Sequence, residues 1–170
     1  MGIDYFFSVG RSDEKLWQRP VDFALSRASS MGPCLAAYAA RHIPGGRKSR
    51  YCLSRADWNG FIQALESQRP LLQALGDCVL SVFDHDPDMP DEVRDPGPED
   101  WKRLAAFEGW FDAIFQGRFG RASSQPFSIS PEHFQSRVEW AFALLKWLEL
   151  DALVQEALSD PLRSVYLDIG

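Results

Sequence analysis

Apolar residues along the chain fall into two rhythms. At the beginning, Ile3 to Val9 (IDYFFSV) is short, aromatic and closed by Gly10, which predicts a strand. Ser164 to Ile169 (SVYLDI) repeats that character near the other end. Two such strands can pair and tie both ends down. A lone pair is only marginally stable, so helices are expected to cover one face of it.

Between these segments the spacing is helical. Ser12 is placed to cap a short turn through Leu16 and Trp17. Pro20 suits the first position of a short helix carrying Val21 and Leu25 on one face. Pro33 to Arg41 (PCLAAYAAR) predicts a helix of small residues, followed by a basic loop over Ile43 to Arg50. Ser54 reads as an N-cap, with Asp57 three residues on. Trp58, Phe61, Ile62 and Leu65 then form an apolar stripe.

Pro70 opens the next helix, in which Leu72, Leu75, Val79 and Val82 recur at spacings of three and four. A polar loop from Asp84 to about Gly97 follows. Pro98, Glu99 and Asp100 suit the exposed amides of a helix start, and Leu104, Phe107, Phe111, Ile114 and Phe115 give that helix an inner face. Ser130 and Pro131 begin the most apolar helix. Phe134, Val138, Ala141, Leu145 and Leu148 form its stripe, which Trp140, Leu144 and Trp147 widen. A helix so widely apolar belongs near the middle of the domain. Asp151 is expected to cap a last helix reaching Leu158, ended by Pro161. The expectation is one domain over residues 1–170, mainly α and α+β at the margins. It has six to seven helices and a small sheet of the N- and C-terminal strands.

Composition sharpens this picture. The 170 residues suit one domain and suffice for a core without disulfides or metal. Aromatics make up 13% of the chain, with 6 Trp and 12 Phe, so rings should dominate that core. The net charge of −6 argues against nucleic acid and against an anionic membrane surface. No run of about 18 apolar residues occurs, and the first ten residues lack a basic, apolar leader pattern. Cys34, Cys52 and Cys78 form no CxxC pair. They read as reduced thiols of a cytoplasmic protein, not as a zinc site or a disulfide framework.

The acidity is concentrated. Within residues 84–100, DHDPDMPDEVRDPGPED, eight acids face one base, Arg94. The rest of the chain is therefore close to neutral. Four prolines stiffen the segment, which lowers the entropy lost on binding. Asp84, Asp86, Asp88, Asp91, Glu92 and Asp95 are the residues expected to meet a basic protein partner. Trp110 and Trp147, at the edges of their apolar arcs, are expected to protrude as anchors.

Three other chemistries are weaker. Asp84, Asp86, Asp88, Glu92 and Asp95 match several ligand positions of a calcium loop. Met89 stands where the sharp turn needs glycine, and prolines interrupt the segment. The cluster of Arg41, Arg47, Lys48, Arg50 and Arg55 beside Gly45 and Gly46 lacks the spacing of a phosphate loop. Glu108 and Asp112 share a helix face. With His85 and His133 they are the candidates for a dispersed enzyme or small-ligand site. No catalytic residue, cofactor or metal site is assigned. The pattern implies a non-catalytic interaction module, an acidic inhibitor of the immunity type, with the enzyme or ligand binder as the alternative.

Overall fold

A computed structural model describes residues 4–26, 29–44, 49–83, 97–115 and 131–170. Within them the chain runs β1 (Tyr5–Gly10), a 3-10 turn (Leu16–Gln18), β2 (Val21–Leu25), α1 (Met31–His42) and β3 (Arg50–Leu53). It continues through α2 (Arg55–Glu66), α3 (Arg69–Phe83), α4 (Pro98–Ile114), α5 (Pro131–Ala157) and β4 (Ser164–Ile169). The four strands form one antiparallel sheet in the order β2-β1-β4-β3. The expected terminal strands are thus present and lie at its centre. Tyr5 opposes Ile169 and Gly10 opposes Ser164.

Side chains alternate across a strand, and this sorts the sheet into two faces. Tyr5, Phe7, Val9, Val165 and Leu167 are buried against the helices. Phe6 on the opposite face is 43% exposed. Among the described residues, α1, α2 and α5 supply the helical contacts to the sheet. At the junction, Phe7 lies 4.8 Å from Trp147 and 5.9 Å from Trp58, with Phe61 5.4 Å from Trp58. Both indole N–H groups are satisfied, as burial requires: Trp58 donates to Asp151 at 2.8 Å and Trp147 to the Met31 carbonyl at 3.0 Å. Gly32 admits β1 closely, since a Cβ there would stand 2.4 Å from the Tyr5 ring.

Helix α2 begins as expected. Ser54 accepts from the Asp57 amide and Asp57 returns the bond to the Ser54 amide, a complete capping box. Helix α5 contacts α1, α2, α3 and two strands, the central place its wide apolar arc required.

Four expectations are corrected. Residues 21–25 are a strand: Val21 and Leu25 fit a helix stripe and a strand face equally, but pairing with β1 also uses Phe23 between them. The basic loop ends in a short strand, β3, whose Tyr51 and Leu53 point inward on β4. Asp151 is no cap. It lies inside a 27-residue α5 that runs unbroken to Ala157, its carboxylate accepting from Trp58. Joining those segments leaves five α-helices among the described residues, against the six to seven expected.

Candidate functional site

The most developed surface feature is at the end of the sheet where β1 finishes and β4 starts. Two connections leave there side by side, residues 11–20 and 158–163. Charged groups lock them together. Arg11 donates twice to Asp160, at 3.0 and 2.6 Å, and its amide donates to Glu14 at 2.7 Å. Arg163 reaches Glu14 at 3.4 Å from the other connection. The Leu162 amide and then Arg11 hold the Asp160 carboxyl below its ordinary range. The Arg11 amide, and secondarily Arg163, do the same for Glu14. Single surface pairs contribute little, but a network fixes geometry better than its members do alone.

On this lattice stand three large apolar side chains. Trp17 is 74% exposed, Leu162 70% and Leu16 47%. Lys15 Nζ lies 5.7 Å from the Trp17 ring centroid. Two residues after Trp17, Arg19 folds back over the open face of the sheet. It donates to Ser8 Oγ at 2.7 Å and its guanidinium lies 4.5 Å from the Tyr166 ring. Gly10 makes this path possible, because a Cβ there would stand 2.4 Å from Arg19 Cγ. Ser8 is buried beneath it. Burial raises the Tyr166 hydroxyl pKa, and the neighbouring Cys52 thiol raises it further. Arg50 pairs with Asp168 farther along the same face. Trp, Arg and Tyr are the side chains most enriched at interface hot spots; here Arg19 is held against Tyr166, and Trp17 stands on the locked connection.

The expected site residues are distributed differently. Asp84, His85, Asp86, Asp88, Asp91, Glu92 and Asp95 lie outside the described residues. Trp147 is completely buried, which corrects the expectation that it protrudes: its ring fills the space between β1 and α2. Trp110 is half-buried, 5.6 Å from Phe115 and 6.0 Å from Phe107. His133 lies in the first turn of α5.

Glu108 accepts from Arg137 at 2.8 Å, joining α4 to α5. Burial makes the Arg137 guanidinium easier to deprotonate, and Glu108 opposes that. The Asp112 carbonyl accepts from Arg41 at 3.0 Å, and the Ile114 carbonyl lies 2.7 Å from His42 Nε2. The last turn of α4 is thus held by the end of α1. Among the described residues, no three His, Cys, Asp or Glu side chains gather as a metal site requires. Nor, among the described residues, is any helix long and apolar enough to cross a membrane.

The residues that sequence reasoning passed over are Leu16, Trp17, Arg19, Leu162 and Tyr166. A signal existed for Trp17, a large aromatic inside the polar run DEKLWQRP. Comparison with protein-family models, curated proteins and solved structures finds no match, so function is read from these residues themselves.

Proposed function

We propose that this chain is a non-catalytic, cytoplasmic protein-binding module of the inhibitor type. It would neutralise a basic enzyme or toxin by covering it, as an immunity protein shields a bacterial cell from a nuclease. The observation that carries the reading is Trp17, 74% exposed on a connection fixed by Arg11, Glu14, Asp160 and Arg163. Exposing a large ring to water is unfavourable, and the locked connection that carries it has little freedom left to lose on binding. The charge of −6 favours a basic partner and speeds the encounter.

The test is capture of a partner on the immobilised chain, followed by association kinetics at several salt concentrations. Trp17→Ala is expected to weaken the complex by about 2 kcal/mol, roughly thirtyfold. Changing Asp86, Asp88, Asp91 and Glu92 to Asn or Gln is expected to slow association and flatten its salt dependence. Affinity unchanged by Trp17→Ala would remove the pinned connection from the interface. Unchanged kinetics in the charge variant would remove steering by the acidic segment.

A further inference from the structure

The register of the sheet shows which backbone groups remain unpaired, and they lie on a different surface from the one above. Asp4 and Gly170 exchange both hydrogen bonds, at 3.1 and 2.9 Å. In an antiparallel ladder such pairs alternate with unbonded ones, and one residue's N–H and C=O point the same way. The even residues of β1 therefore bond to β4. Its odd residues bond to β2, so Val21, Phe23 and Leu25 are the paired residues there. The Ile169 amide donating to the Ser49 carbonyl at 2.8 Å confirms the same alternation across β4 and β3. Asp22 and Ala24 are left with two N–H and two C=O groups aimed off the open edge of the sheet. Among the described residues nothing bonds to these groups.

Apart from the charge of Asp22, this edge has few of the usual protections. Strand β2 has no bulge, since its register to β1 is constant from Tyr5–Leu25 to Val9–Val21. It holds no Lys or Arg and no internal proline. Phe23 points toward the helices and packs 5.1 Å from Phe7, yet its place on the edge strand leaves it half-buried.

We propose that two copies of this chain join edge to edge through β2, extending the four-stranded sheet to eight strands with Phe23 on the two-fold axis. In that register Asp22 opposes the partner's Ala24, and these two pairs exchange four hydrogen bonds. Phe23 meets its own copy as an unbonded pair, the closer kind, about 4.5 Å between Cα atoms. Aromatic cross-strand pairs are favourable, and each ring covers the side of the other that the helices leave open. Placing the axis on Asp22 instead would set two carboxylates directly opposite, which disfavours it. The other edge is less suited, because β3 carries Arg50, a cation of the kind that protects an edge.

The contact is small against a standard interface of about 1,600 Å², so association is measured up to about 1 mM by sedimentation velocity. The wild type is expected to show a concentration-dependent dimer. Ala24 is exposed, so its replacement spares the core. Ala24→Asp sets like charges opposite twice and is expected to weaken the dimer roughly tenfold, while Ala24→Lys sets opposite charges and strengthens it. Amide exchange in the unaltered protein gives an independent reading: Asp22 and Ala24 should slow as concentration rises, and Phe23 should be slow throughout. A monomer across the whole range, a dimer that responds equally to both charges, or exchange at Asp22 and Ala24 independent of concentration would each overturn the proposal.

Discussion

The two faces of the sheet use the same residue types for opposite ends. On the inner face Phe7, Trp58, Phe61 and Trp147 interlock out of water, and the indole N–H groups of Trp58 and Trp147 are both hydrogen-bonded. On the outer face Tyr166 carries the guanidinium of Arg19, and at the end of the sheet Trp17 stands in solvent. The cysteines divide likewise, with Cys34 buried and Cys52 exposed. The difference teaches that an aromatic is assigned to core or surface by what its neighbours can cover. Helices cover one face, and among the described residues the arginines Arg19 and Arg50 lie over the other.

The largest test of this division is Trp147→Ala. It empties a fully buried site and is expected to cost about 3–5 kcal/mol in urea unfolding. A cost below 1 kcal/mol would mean that the inner ring cluster does not hold the sheet to α2 and α5. Next is the clamp between α4 and α5. Arg137→Met removes the buried guanidinium that donates to Glu108, with an expected loss of about 3 kcal/mol. Adding Glu108→Leu should recover most of that loss, and a double variant no better than the single would show that the clamp contributes through its charges. The thiols give a third comparison. Burial pushes the Cys34 thiol up to about 12, so a thiol reagent should modify Cys52 promptly and Cys34 only as the molecule opens. Equal rates would contradict the burial of α1.

The smallest effect is expected from acid. The Asp160 and Glu14 carboxyls are held below their ordinary range, so the folded state favours their charged forms. Their contribution is present above the ordinary carboxylate range and is lost as pH falls through the lowered values. Below about pH 4 the pinned connections should loosen before the core does. Trp17 fluorescence, read in a variant whose other tryptophans are replaced by phenylalanine, should change ahead of the far-ultraviolet dichroism. Coincident transitions would show that the two connections are not a separate unit.

Legibility in the sequence followed how local each determinant is. The Ser54–Asp57 box spans four residues, and α2 starts where that spacing places it. β1 and β4 were readable because both are short, aromatic runs. β2 was ambiguous because positions 21 and 25 are one helical turn apart and also two strand repeats apart. Only the partner strand decides between those readings. Asp151 resembled a cap because carboxylates favour helix starts, but its acceptor is used by Trp58, 93 residues away in sequence. The pinned surface was almost invisible for the same reason. It depends on Arg11 meeting Asp160 and Arg19 meeting Tyr166, contacts that exist only once β1 and β4 are in register. The acidic run at 84–100 was conspicuous because charge density is a property of sequence alone.

Pairing the first strand with the fourth also sets a clock on synthesis. Val9 becomes a neighbour of Val165, so β1 leaves the ribosome long before its central partner exists. At ordinary elongation rates of about 5–20 residues per second the interval is roughly 8–30 s. Throughout it, β1 has β2 on one side and bare amides on the other, with Phe7 and Val9 facing no finished helical layer. That side of β1 is completed only with the arrival of Ser164–Ile169.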